Sequence, residues 1–315
     1  MTALIGHAAL ESALDWPALI AELRAWYRAD TVEAPERQVL SIQQPDGSEG
    51  SLLIMPAWVP GQNIGVKVVT FFPQNADQGR PTINAGYLLF DGATGQMQAA
   101  LDGDTLTARR TPAASALAAD YLARADASRL LVVGTGQLAV SSAAAHCAVR
   151  SYRDVTIWGR TPAKAANIAA TLRDLGINAT VSDDLEAACG AADVITTLTA
   201  ATQPIIFGDW LRPGTHLDLV GAFKADMRES DDRAIMQAEV FVDHRKGAML
   251  AGDLAQPLDS GSITDSHILA DLSQLCQGAH PGRQSDDAFT VFKSAGMALQ
   301  DLAAATLAAD QLISG

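Results

Sequence analysis

The sequence predicts an α/β protein in which a doubly wound parallel sheet is inserted into an α+β domain, and three features predict it. From Arg129 onward, short apolar strands alternate with Ala-rich helical stretches, the rhythm of βαβ units that place helices on both faces of a sheet. Ahead of Arg129 the chain mixes one amphipathic helix with several strand-like runs. The last stretch, FTVFKSAGMALQDLAAATLAADQLI, ends in an apolar helix long enough to leave the second domain and return to the first. The expected boundaries are therefore 1–112 plus 293–315 for the outer domain and 113–292 for the inserted one.

Each element has a local reason. ALIAELRAWYRA (Ala18 to Ala29) carries apolar residues at helical spacing, while RQVLSI, SLLIM, IGVKVVTFF and TINAGYLLF are rich in β-branched and aromatic residues between turn signals. TPAASALAADYLARA (Thr111 to Ala125) reads as a bridging helix that Thr111 caps and Pro112 opens, since proline is tolerated at the first helical position. On that reading Arg109 and Arg110 lie in an extended segment and point opposite ways, with Arg109 the solvent-facing member. RLLVVG, DVTIWG, NATVSD, DVITTLT, HLDLVG and EVFVDH supply the strands of the inserted sheet.

Composition narrows the function classes. With 48% hydrophobic and 18% charged residues the chain is an ordinary globular protein, not a disordered one. A net charge of -14 argues against a nucleic acid or an anionic membrane as partner, though not against a small anion in a local basic pocket. Cys147, Cys189 and Cys276 are scattered and odd in number, which suits a reduced, cytoplasmic setting. MTALIGHAALESALDW lacks the pattern of a signal peptide, and no apolar run is long enough to span a membrane. The six histidines, His7, His146, His216, His244, His267 and His280, show no metal-ligand spacing, so no metal is expected. Acidic runs such as Glu229-Ser-Asp231-Asp232 read as a solvated helix start.

The most informative stretch is LLVVGTGQLAVSSAAAH. Gly134-Thr135-Gly136-Gln137-Leu138-Ala139 follows an apolar strand and opens a helix, the context in which GxGxx(G/A) cradles a dinucleotide. Gly134 allows the tight turn, Gly136 the approach of a pyrophosphate, and Ala139 close packing of helix on strand. This makes the inserted domain Rossmann-type. An acid at the end of the second strand would hold the ribose 2′-hydroxyl of NAD, but TIWGRTPAKA places Arg160 and Thr161 there. An arginine pairs well with a 2′-phosphate, so NADPH is the expected cofactor, with NADH possible. The alternative is that Thr161 and Pro162 merely cap the helix.

APERQVL (34–40), GVKVVTFFPQN (65–75), LTARRTPAASALAADYLA (106–123), VVGTGQLA, VGAFKADMRE (220–229), VDHRKGAMLAGDL (242–254) and VFKSAGMALQDLAAA (291–305) occur in an order and spacing that resemble the ornithine cyclodeaminase/μ-crystallin family across nearly the whole chain. The resemblance implies a Rossmann domain inserted into a substrate-binding and dimerisation domain, an active site between them, and a homodimer. It implies that Arg37 and Arg110 bind the carboxylate of a small imino or amino acid and that Lys67 faces the same substrate as the catalytic candidate, with the proton coming from Lys67 or a water. Thr111, Thr197 and Thr199 join the glycine loop as cofactor contacts. Lys67 alternates within an apolar strand, so it is either surface-facing or buried and in need of an anion. Several cations around one pocket repel unless an anion compensates, and their clustering would point to an anionic substrate.

One position departs from the family. Ornithine cyclodeaminases carry an aspartate where this chain reads Val220-Gly221-Ala222-Phe223, and a phenylalanine neither accepts a proton nor holds an ammonium. An apolar wall fits a small cyclic imine instead. In GRT after the second strand and GAFKADMRE after the fifth the chain resembles the family's reductases, and that resemblance implies NADPH-dependent reduction of Δ1-pyrroline-2-carboxylate or Δ1-piperideine-2-carboxylate to L-proline or L-pipecolate. The alternatives are ornithine cyclodeaminase or alanine dehydrogenase activity, or a non-catalytic NADPH-linked binding protein of μ-crystallin type. Ser294 and Gly296 match a family segment near the nicotinamide, but read equally well as a helix start.

Overall fold

The computed structural model describes residues 2–313. In chain order its elements are β1 (Ala3–Ile5), α1 (His7–Ala13), α2 (Trp16–Ala29), β2 (Gln38–Gln43), β3 (Glu49–Val59), β4 (Asn63–Phe71), β5 (Ile83–Asp91), β6 (Met97–Asp102) and α3 (Gly103–Leu122). There follow β7 (Arg129–Val133), α4 (Ala139–Val149), β8 (Asp154–Trp158), α5 (Pro162–Asp174), β9 (Ala179–Val181), α6 (Leu185–Ala191), β10 (Val194–Thr197), β11 (His216–Leu219), α7 (Asp232–Met236) and β12 (Glu239–Val242). The chain closes with α8 (Arg245–Ala248), α9 (Gly252–Asp259), β13 (Ile268–Asp271), α10 (Leu272–Gln277), β14 (Thr290–Lys293) and α11 (Ala298–Ile313). Residues up to Thr111 form one compact unit together with those from Met297, and Pro112–Gly296 form the other.

The first unit is a six-stranded sheet in the order β1-β6-β5-β4-β3-β2, antiparallel except for the β1–β6 pair. Alternation divides its side chains. Met55, Ala57, Gly65, Lys67, Tyr87, Leu89, Ala99 and Leu101 form a buried inner face, against which α11 packs. Ile54, Trp58, Ile64, Val66, Val68, Leu88 and Phe90 form an outer face that is only half-buried. Helix α2 starts where the Asp15 side chain accepts from Ala18 N at 3.2 Å, and it buries Leu19, Ile20, Leu23 and Tyr27 along one stripe.

The helix expected to open at Thr111 begins at Gly103 instead. Asp102 supplies the start, its carboxylate accepting from Thr105 N at 2.7 Å. Pro112 therefore sits inside α3, where it removes one backbone hydrogen bond, and Arg109 and Arg110 are helical rather than extended. The proline suggested a first turn because its missing N–H is harmless there; the chain accepts the loss in mid-helix.

The second unit is an eight-stranded, fully parallel sheet in the order β13-β12-β14-β11-β10-β7-β8-β9. Both faces are covered, and successive residues of β7 serve opposite cores. Leu131 and Val133 pack with Ile195, Leu217 and Leu219, whereas Leu130 and Val132 pack with Val155, Ile157 and Ala169. Strand order turns back between β7 and β10, so their carboxyl ends flank the switch point where such sheets bind ligands. Among the described residues no helix is long and apolar enough to cross a membrane.

Candidate active site

Lys67 lies on the inner face of β4 and is 3% exposed. Its Nζ donates to Asp301 Oδ1 at 3.1 Å and to the Thr107 hydroxyl. Arg110, one turn along α3 from Thr107, donates from Nε to the same Oδ1 at 3.0 Å and from Nη1 to Gln300 Oε1 at 2.7 Å. Gln300 is itself fixed by donating to the Tyr27 hydroxyl at 2.8 Å. Nη2 of Arg110 takes part in neither bond. Clustering of cations alone therefore does not establish an anionic substrate, because α11 brings its own counter-ion. Two cations against one carboxylate still leave an excess positive charge.

The electrostatics follow from burial. Burial draws Lys67 down from the ordinary lysine value to about 8, Asp301 opposing the shift and Arg110 adding to it. Burial pushes the Asp301 carboxyl up, but Arg110 and Lys67 outweigh it and hold the group below the usual aspartate value. Asp301 Oδ2 and the Tyr87 hydroxyl are buried without a hydrogen-bond partner among the described residues. An orphaned buried polar atom of this kind costs about 1–3 kcal/mol.

Asp301 was not a candidate on sequence, although MALQDLAAATLAA held the signal: a lone acid in an apolar helix must be buried beside a cation or pay heavily. Arg109 reverses the expectation made for it. It is 8% exposed, donates from Nε to Leu14 O at 2.9 Å, and stacks 3.6 Å from the Trp16 ring centroid, so it fastens the α1–α2 junction. Arg37 is half-buried, one residue before β2. Gln38 is level with Ile54, and Ile54 with Val68. Extending that register by one residue sets Arg37 beside Met55, two strands and about 10 Å from Lys67. Thr111 is buried in α3.

In the second unit the glycine loop has the conformation its sequence requires. Gly134 has φ +130, a region closed to most side chains, and a Cβ there would also stand 3.0 Å from Leu198 O. A Cβ on Gly136 would meet no protein atom within 4 Å, so the chain's own packing does not demand glycine at this position. Ala139 is fully buried and its N–H donates to Gly136 O at 3.1 Å, and the first turn of α4 has no side-chain cap, so the N–H groups that follow Ala139 are the ones an anion could meet. Thr135, Gly136, Gln137 and Leu138 are exposed or half-exposed above that turn. After β8, Arg160 is exposed and Thr161 stands at the N-cap of α5 without a side-chain cap bond. The chain thus fits a dinucleotide: Gly134 to Leu138 to cradle the pyrophosphate, and Arg160 with Thr161 to meet the ribose end.

Thr197 and Thr199 turn toward a carboxylate. Glu229, read as part of a solvated helix start, is fully buried. It accepts from Thr197 Oγ1 at 2.8 Å, Thr199 Oγ1 at 2.8 Å, Thr199 N at 2.7 Å and Gly221 N at 2.7 Å. The two threonine hydroxyls have thereby spent their protons inside the protein. Asp253 Oδ1 accepts from the backbone of Glu229 and Ser230, and Asp253 Oδ2 pairs with the buried Lys293 at 3.1 Å. Asp231, by contrast, does start a helix, accepting from Ala234 N. Asp243 accepts from Ser294 Oγ, Ala295 N and Gly296 N, so Ser294 and Gly296 (φ +75) belong to a pinned loop, not to a helix start. Phe223 follows β11 and is 45% exposed, with Lys224 Nζ 5.7 Å from its ring centroid. His146 is buried, its Nδ1 on Ser142 O.

A family model described as the ornithine cyclodeaminase/mu-crystallin family matches residues 7–315. The chain belongs to this family. Among its relatives is a Delta(1)-pyrroline-2-carboxylate reductase of Paracoccus denitrificans, 42% identical over 255 residues, 80% of this chain and 81% of that protein. A Thermococcus litoralis Delta(1)-pyrroline-2-carboxylate reductase, solved in complex with NADH and L-proline, superposes with a TM-score of 0.93 at 30% identity, covering 99% of this chain and 98% of that one. An archaeal alanine dehydrogenase dimer with bound NAD superposes with a TM-score of 0.92 at 28% identity, covering 99% and 96%.

Proposed function

We propose that this protein reduces a cyclic ketimine carboxylate, Δ1-pyrroline-2-carboxylate or Δ1-piperideine-2-carboxylate, to L-proline or L-pipecolate with NADPH. The coarser statement holds for the chain as a family member with close reductase relatives: it is an NAD(P)H-dependent oxidoreductase acting on C=N bonds. The observation that carries the finer reading is the shared seat of Lys67 and Arg110 on one carboxylate oxygen, which leaves further N–H groups of both cations for a substrate carboxylate.

A reduced nicotinamide, when bound, supplies the hydride. Arg110, with Arg37, holds the substrate carboxylate and so fixes which face of the imine carbon is presented. Lys67 Nζ gives its proton to the imine nitrogen as the C=N electron pair settles there, and regains one from water, so the ring leaves as a secondary amine. A donor near pKa 8 suits this step, being charged at neutral pH yet able to release its proton. Phe223, where a deaminase of this family carries an acid, can neither accept a proton nor hold an ammonium. Arg160 would hold the 2′-phosphate of NADPH.

The half-exposed outer face of the first unit's sheet is apolar across Ile54, Trp58, Ile64, Val66, Val68, Leu88 and Phe90, where a solvated face would be polar. A second copy of the chain covering that face makes the homodimer. The free thiols of Cys147, Cys189 and Cys276 suit the reducing cytoplasm.

The test is loss of nicotinamide absorbance when purified protein meets each imine with NADPH or NADH. Turnover with at least one imine, faster with NADPH, is the expected result; no turnover with either ring removes the reading. The alanine dehydrogenase likeness favours a second reading, oxidative deamination, and ammonia release from alanine at a comparable rate would establish it.

A further inference from the structure

Lys67 must be both charged and aimed to serve as the donor just described, and nothing on β4 itself provides for either. The groups that face it come from three other elements: Asp301 on α11, Thr107, Arg110 and Asp104 on α3, and Tyr87 on β5, directly across the ladder. Of these only Asp301 is both anionic and bonded to Lys67, and the same oxygen also holds Arg110. Thr107 is spoken for on its own side, since its hydroxyl donates to Gly103 O at 2.7 Å and is left to accept from Lys67. Asp301 is fully buried, its second oxygen has no partner among the described residues, and Tyr87 feels its charge: burial first and Asp301 second push the phenol well above its usual range.

We propose that Asp301 is the positioning residue of this site, one carboxylate oxygen keeping Lys67 charged as proton donor and fixing Arg110 beside it for the substrate carboxylate. The inference rests on the reductase reading for its kinetic consequences, but its first consequence needs no substrate. Lys67 is a proton donor only while charged. Removing the negative charge of Asp301 leaves burial and Arg110 acting together, and both favour the neutral amine.

Titration of Lys67, followed by NMR of protein carrying ¹³C-labelled lysine, reads this directly in the full chain. In Asp301→Asn the midpoint falls by about one pH unit or more. In Asp301→Glu, which keeps the charge, it stays within about half a unit. An unmoved midpoint in a folded Asp301→Asn protein overturns the proposal. So does a fall of a whole unit in Asp301→Glu, and this second variant decides the matter if the first does not fold. Kinetics then test the aim of the pair. In Asp301→Asn the basic limb of the imine-reduction profile moves to lower pH with the Lys67 midpoint, and KM for the imine rises about tenfold while KM for NADPH stays within about twofold. Equal rises in both KM values would mark Asp301 as merely structural. If the unaltered protein turns over no imine while the Lys67 midpoints shift as stated, the reductase reading fails and the Asp301 assignment stands.

Discussion

Asp301 and Glu229 are both carboxylates buried to zero exposure, and they do opposite work. Asp301 meets two side-chain cations, each with N–H groups to spare, and among the described residues keeps one oxygen unpartnered. Glu229 meets the hydroxyl of Thr197 at the end of β10 and groups of the segments that follow β10 and β11, with both oxygens occupied. An acid satisfied by the backbone is a staple, because none of its partners can leave without unfolding a loop. An acid satisfied by flexible cations holds groups that can still bind and exchange protons. The electrostatic outcome follows: cations bring Asp301 below its ordinary value, whereas burial and then the neighbouring Asp253 raise Glu229.

The sharpest way to test this contrast is to alter one member of each cluster and compare activity with stability. Lys67→Met should cost about 10²–10⁴-fold in kcat for imine reduction, the usual contribution of a placed proton donor, while cofactor binding persists. A loss below about tenfold would detach Lys67 from the chemistry. Glu229→Ala should cost about 3–5 kcal/mol in chemical denaturation, because several buried donors lose one acceptor together. The fraction that remains folded should keep its KM for the imine, and a KM change without a stability change would put Glu229 in the working class. Arg160 belongs to neither cluster and is exposed. Arg160→Ala should raise KM for NADPH about tenfold or more and leave NADH nearly unchanged, the loss of one charge-assisted pair. Equal effects on both cofactors would remove its role.

A third buried acid is Asp218 on β11, which accepts from Ser115 at 3.0 Å and Thr196 at 2.7 Å. Burial raises it from 3.8 to about 7, against the pull of those hydrogen bonds. The folded chain therefore keeps a proton that the unfolded chain has released between these values. The contribution of this group to stability is fully present below pH 3.8 and is lost as pH rises through about 7. Asp218→Asn should remove that slope, about 1.4 kcal/mol per pH unit at most. A denaturation profile with the same slope in both proteins would show Asp218 to be charged in the fold at neutral pH.

Patterns of short range were legible without coordinates. The strands β7, β8, β10, β11 and β12 announce themselves as apolar runs, and GTGQLA carries its own conformational reason in Gly134. β6, with the sequence MQAALD, and the three-residue β1 carry no such pattern and exist because neighbouring strands hold them. The start of α3 was misread for a related reason: Thr111-Pro112 is a strong local signal, and Asp102, further upstream, overrode it.

The sequence by itself determined the parallel, helix-flanked half, the strand-rich half ahead of it and the glycine turn at Gly134, because periodicity and glycine torsions are properties of neighbouring residues. Only the tertiary structure decided which charges neutralise which. Lys67 and Asp301 stand 234 positions apart, and Glu229 reaches back to Thr197 over 32. A buried charge is stable only with its partner, and that partner is chosen by how helices and strands meet, not by what lies beside it in the chain.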